Sequence, residues 1–348
     1  MTDDGLRPRR WVRAARWTAI AAIVGLVAWL AGTGGPLLRQ ALAVMATVDP
    51  AAVLAIVGLE VGWAVALAQT GRHAVLALGG RLGLGQALRI SMAGFTVSRV
   101  VPGGGAAGGV FALHELRRVG NALPLATMAT VTSWAASAAG LGLLVAGALA
   151  VTTAAGRPPP AASAPATIGL LALSAAGVLV LVVVRHPRAC RAAVALVERL
   201  RQRLPRRWRP RGGVPPHPAV CDPRALRRSV VWAAGAWIVD IAALWTALAA
   251  CGAPVAPHVL LVGYVVATVL NSVPEVTPGW IGVFEAAQAA TLAALGVAAP
   301  TAVAGVLLYR LLSFWLPTAA GIAPAVVSLR AARSAAGAPV PTARRVAA

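Results

Sequence analysis

Apolar residues run along this chain in long stretches, and arginine-bearing segments separate them. A full crossing of a bilayer needs about 20 such residues. The runs near 17 to 31, 50 to 69, 122 to 151, 166 to 184, 229 to 251 and 301 to 327 predict six transmembrane helices. Two further apolar segments, about 85 to 118 and about 258 to 297, are broken in the middle by proline and glycine. Their arms are short, so each predicts a hairpin that enters the membrane and leaves on the side it came from. The fold class expected is an all-α polytopic membrane protein with about 6 transmembrane helices plus two re-entrant helical hairpins.

The second break, "NSVPEVTPGWIGVFE" from Asn271 to Glu285, is the more informative. Pro274, Pro278 and Gly279 leave backbone N–H and C=O groups without helical partners. Hydrocarbon cannot satisfy them, so such a break survives only inside protein or beside a water-filled cavity. A binding site is expected there.

Composition sharpens the picture. The chain is 59% hydrophobic and 12% charged with a mean hydropathy of +0.77, which marks an integral membrane protein. The net charge of +21 comes entirely from arginine, since no lysine is present, and its uneven placement reads as a topology signal rather than as nucleic-acid binding. Cys190, Cys221 and Cys251 have neither disulfide-framework nor metal-site spacing, so no metal and no cofactor are expected. By the positive-inside rule the basic N-terminus (1–16), the arginine-rich loop (185–228) and the tail (330–348) lie in the cytoplasm. They flank two membrane halves, 17–184 and 229–329. Localisation in the cytoplasmic membrane with both termini cytoplasmic follows.

The halves look like inverted copies of one another. Glu60 precedes the first hairpin and Asp240 the second, and "PGGGAAGGVF" is echoed by "PGWIGVF". With the hairpins entering from opposite faces, this is the signature of a transporter-like inverted repeat whose site lies between the broken segments.

Each charge inside the membrane costs about 2.5 to 3.5 kcal/mol on the insertion scale, so each needs a partner or a task. For Arg310 with Glu275 and Glu285 two readings stand. One is an ion pair locking the hairpin to the last span; the other gives Arg310 a lipid phosphate, matched by its planar fork of donors. Arg99, beside the first glycine turn, is the better candidate for an anionic headgroup, with capping of freed carbonyls as the alternative. Gly103, Gly104, Gly105 and Gly279 could present backbone N–H groups to an anion or simply allow close helix packing. Asn271 caps or coordinates at the break. Glu60 and Asp240 either relay ions or protons, pair with Arg99 and Arg310, or form plain buried hydrogen bonds. Glu115, three residues before Arg118, predicts a surface helix pair, and His114 a solvated residue.

The blocks "VVPGGGAAGGVFALHELRRVG", "NSVPEVTPGWIGVFEAA" and "LLYRLLSFWLP" resemble the transmembrane domain of the lysylphosphatidylglycerol synthase/flippase family, over about residues 17 to 329. One departure is Trp280, where that family usually has a second glycine. The resemblance implies a stand-alone, lipid-translocase-like membrane domain without the soluble aminoacyltransferase. The expected function is flippase-like binding and translocation of an anionic phospholipid or lipid-linked precursor, not an enzymatic reaction, with no catalytic residues. Its partners are membrane lipids with anionic headgroups, and beyond these a homo-oligomer or a cell-envelope enzyme. Two alternatives remain open at this point. One is a membrane-embedded transferase on a lipid or polyprenyl substrate with Glu275 or Glu285 as base. The other is a non-catalytic partner of a cell-envelope enzyme.

Overall fold

The computed structural model describes residues 35–101, 104–154, 156, 164–186, 188, 221–271 and 281–336, and every regular element among them is helical. Its spine is a pair of 28-residue helices, α2 (Pro50–Ala77) and α7 (Pro223–Ala250). Both start the same way. Asp49 and Asp222 act as N-caps, accepting the N–H of Ala51 and of Arg224, and proline fills the first helical position, where its missing N–H costs nothing.

The two helices pack against each other along their length and run antiparallel. Three contacts fix the register. Val239 lies over Gly62, the Ser229 hydroxyl donates to the Thr70 carbonyl at 2.8 Å, and the Asp222 N–H donates to the Ala77 carbonyl at 2.8 Å. That register puts Glu60 and Asp240 at the same level on facing helices.

Two helical hairpins flank the spine. The first joins α3 (Leu84–Val100) to α4 (Gly104–Arg118), of 17 and 15 residues, which lie side by side. The open ends of the hairpin are clasped by Asn121, whose amide accepts from the Arg81 N–H at 3.3 Å and donates to the Arg81 carbonyl at 3.2 Å. Gly108 makes the pairing close: a Cβ there would stand 2.7 Å from the Gly94 carbonyl oxygen. The second hairpin pairs α8 (Pro257–Asn271) with α9 (Val283–Ala294), Gly263 accommodating Leu292. The expected break at Pro274, Pro278 and Gly279, like Pro102 and the first span near 17 to 31, lies outside the described residues.

The remaining helices enclose these. α1 (Gly35–Ala46) packs on α10 (Ala299–Arg310), and α5 (Leu123–Ala154) packs on α2, α6 (Ala164–Arg185) and α7. A five-residue π turn, Leu311–Trp315, connects α10 to α11 (Leu316–Ala336), which returns along α3. Four segments are long and apolar enough to cross a membrane: Pro50–Ala77, Leu123–Gly147, Pro223–Ala250 and Ala299–Ala331. The outside of the bundle is apolar, with Leu54, Ile168, Trp134, Val231 and Val327 among its exposed side chains. A soluble fold would bury such residues, whereas a lipid-facing one leaves them outward. The chain is an all-α polytopic membrane protein.

Candidate functional site

Arg310 closes α10, immediately before the π turn, and is 7% exposed in its side chain. Its Nε–H donates to Glu285 Oε1 at 2.7 Å. Glu285 is itself set by the turn that opens α9. There Gly282 adopts a positive φ of 85°, open to glycine at no steric cost, and its N–H donates to Glu285 Oε2 at 2.7 Å. Each carboxylate oxygen thus has one donor. Of the two readings open for these residues, the ion pair tying the second hairpin to the last span is present; Glu275 lies outside the described residues.

Two rings sandwich the Arg310 guanidinium. Its Cζ stands 4.4 Å from the centre of Phe284 and 4.3 Å from that of Phe314. Phe314 sits within the π turn, where the wider winding interrupts the regular ladder, a local irregularity often found at functional sites. The same ring is shared with the first hairpin. Arg99, in the last turn of α3, has its Cζ 5.6 Å from the centre of Phe314 and 5.0 Å from that of Phe95. Trp63 of α2 backs Phe95 edge-on at 5.1 Å. A guanidinium of the first hairpin and one of the last span therefore share the ring of one phenylalanine.

Two carboxyl groups lie alongside. Asp240 is gripped by both tyrosines of the chain: Tyr264 on α8 donates to Oδ2, and Tyr309 on α10 donates to Oδ1 at 2.8 Å. Trp237, one turn away on α7, meets Tyr264 edge-on and is anchored by its indole N–H to the Ser137 carbonyl at 2.9 Å. Arg310 and Arg99 both lie within electrostatic reach of Asp240, as do Glu60 and Asp240 of one another. Glu60 is 4% exposed, and neither of its carboxyl oxygens has a hydrogen-bond partner among the described residues. Gln288 shares that condition. It lies one turn beyond Phe284 and Glu285 on α9, fully buried, with neither amide atom partnered among the described residues.

The glycines of the first break divide by use. Gly104 opens α4 with a φ of 51°, and a Cβ placed on Gly105 would meet none of the described residues within 4 Å. Further along α4, Gly108 and Gly109 are consumed in packing, the latter against the Trp134 indole. Gly103 and Gly279 lie outside the described residues, and Asn271 is the last residue of α8. Glu115 needs a correction. It pairs with Arg118 at 3.1 Å as the spacing predicts, but it is 1% exposed rather than on the surface. Ser328 of α11 donates to its other oxygen at 3.0 Å and Arg89 stands at 3.9 Å, because α11 folds back over this face of α4. His114 is exposed as expected.

Sequence reasoning missed Tyr264, Tyr309, Phe284, Phe314 and Gln288. Scarcity was the available signal. The chain has only two tyrosines and four phenylalanines, and both tyrosines and three of the phenylalanines line this cluster.

The sequence profile described as "Lysylphosphatidylglycerol synthase TM region" covers residues 16–321. No protein with a curated description matches the chain.

Proposed function

Because the chain belongs to the lysylphosphatidylglycerol synthase TM-region family, we propose that it binds an anionic phospholipid or lipid-linked precursor and moves it across the cytoplasmic membrane. The observation carrying this reading is the sharing of the Phe314 ring by Arg99 and Arg310. Arg99 stands near the apex of a hairpin whose clasped ends lie at the arginine-rich end of the molecule; Arg310 closes a helix that starts at the other end. A phosphate held between them is within reach of both sides. Guanidinium groups suit phosphate because their donors are planar and paired, and the shared ring favours cations over its face.

The antiparallel α2/α7 spine and the hairpin on each side of it support an inverted repeat, the plan on which many transporters place a midplane site. In this reading Glu60 and Asp240, level with each other on the spine, supply proton or ion coupling. The arginine-rich end faces the cytoplasm, and the activity is transport rather than a chemical reaction on the lipid.

Reconstitution tests it. Vesicles carrying labelled phosphatidylglycerol should expose their inner-leaflet headgroups faster when the protein is present. Arg99→Ala and Arg310→Ala should each slow this by about tenfold or more, the size of a lost charge-assisted hydrogen bond. Unchanged exposure with the wild-type chain, or full activity in both variants at unaltered gel-filtration profile, would overturn the proposal.

A further inference from the structure

A groove opens between α6 and α7 at the arginine-rich end, away from the Arg99/Arg310 site. Both helices pack on α5, and the space left between them has a volume of about 430 Å³. That is within the range of ligand sites, about 300 to 1,000 Å³. From α6 it is lined by Val178, Leu181, Val182 and Arg185, one face of the helix at three- and four-residue spacing. From α7 come Arg224, Leu226, Arg227 and Val230.

The lining is graded. Arg185 lies at the end of α6 and Arg224 and Arg227 in the first turns of α7, so three cations ring the mouth. The valines and leucines lie deeper, along the apolar parts of the same helices. All three arginines are exposed, and none has an ion-pair partner among the described residues. Among the described residues no carboxylate lines the groove. A charged mouth over an apolar slot, set into the lipid-facing side of a membrane bundle, matches a molecule with an anionic head and a hydrocarbon tail.

We infer that this groove is a second lipid site, distinct from the translocation site, which holds a bilayer phospholipid with its phosphate on Arg185, Arg224 and Arg227 and an acyl chain against Val178, Val182 and Val230. Its occupant braces α6 against α7 and is not itself transported. The inference is independent of the proposed translocation, since it draws on none of the same residues.

Native mass spectrometry of the full-length protein, with phosphatidylglycerol or phosphatidylcholine added, reads it directly. Phosphatidylglycerol adducts should exceed phosphatidylcholine adducts and should raise the thermal unfolding temperature. The double variant Arg224→Glu/Arg227→Glu should lower the phosphatidylglycerol-bound fraction about tenfold, since each cation near a lipid surface contributes measurably to anionic lipid binding. Val182→Trp, which fills the apolar slot and keeps every charge, should lower it too, while Arg99→Ala should leave this stabilisation in place. Equal retention of the two lipids would overturn the site, as would a bound fraction unaffected by both variants. So would equal protection by inorganic phosphate, which would show an anion site without a lipid. If removal of residues 189–220 raised lipid binding in the Arg224→Glu/Arg227→Glu variant to the wild-type level, the groove would belong to that loop and the inference would fall.

Discussion

Arg310 is held from three sides, by Glu285 and by the faces of Phe284 and Phe314. Removing the cation alone leaves the Glu285 carboxylate, 16% exposed, with only the Gly282 N–H. Breaking a buried pair from one side costs about 3 to 5 kcal/mol, whereas replacing both partners by apolar groups costs far less. Arg310→Met should therefore destabilise the protein strongly, and Arg310→Met/Glu285→Leu should recover much of the loss. A double-mutant cycle of unfolding in detergent measures the coupling, and strictly additive losses would refute it. Asp240 gives a second case. Tyr309→Phe and Tyr264→Phe each remove one of its two donors, and each should cost about 1 to 2 kcal/mol by the same unfolding measurement. These residues differ in how legible they are from the sequence. A charge in an apolar run announces itself, so Arg99, Arg310, Glu285, Glu60 and Asp240 could be named from the chain alone. A tyrosine in an apolar run does not. Whether Tyr309 turns toward Asp240, 69 residues away, depends on how α10 packs against α7, which no local pattern encodes.

At the scale of elements, small residues decide which helices touch. Hydrocarbon supplies no hydrophobic drive between helices, so close approach and interhelical hydrogen bonds carry the packing. The α3–α11 contact is the clearest instance. Thr96 of α3 donates to the Thr318 carbonyl at 2.9 Å, and a Cβ placed on Gly321 would run into the Thr96 hydroxyl and the Met92 carbonyl oxygen. Backbone atoms cannot step aside as a flexible side chain can. Gly321→Ala should cost about 1 to 3 kcal/mol through overpacking. Gly85→Ala, in open space on α3, should be neutral or gain up to about 1 kcal/mol from helix propensity. Thermal unfolding of the two variants side by side checks both signs. The existence of these helices was readable, because Arg81, Arg117, Arg118 and the glycine turn bracket the arms of the first hairpin. Which face of α4 meets α11 was not. An Glu115–Arg118 spacing of three residues is the same on a solvated helix as on one covered by a neighbour, so the burial of Glu115 had no trace in the local sequence.

Taken whole, the molecule is polarised. Arg72, Arg81, Arg89, Arg117, Arg118, Arg185, Arg224, Arg227, Arg228 and Arg330 all lie on the half of the bundle marked by the α2 C-terminus, the α7 N-terminus and the clasp of the first hairpin. At the other end Arg39 stands alone among the described residues, near the start of α2. Loops rich in arginine stay on the cytoplasmic side during insertion, because moving them across is costly, and the proposed orientation of the bundle rests on this asymmetry. The contacts make the orientation cooperative: Asp222 is bonded to Ala77, Asn121 to Arg81, and Arg118 to the Ser328 carbonyl at 3.4 Å, so these segments cannot lie on different sides. Two exposed positions read the result. Thr47 lies in the turn before α2 at the arginine-poor end, and Leu84 begins α3 at the basic end. With Cys190, Cys221 and Cys251 replaced, Thr47→Cys in intact cells should react with a membrane-impermeant maleimide, and Leu84→Cys should react only after the membrane is permeabilised. The reverse pattern would invert the assignment of sides, place the mouth of the α6–α7 groove outside the cell, and put the first hairpin's opening, with Arg99 behind it, on the face away from lipid synthesis.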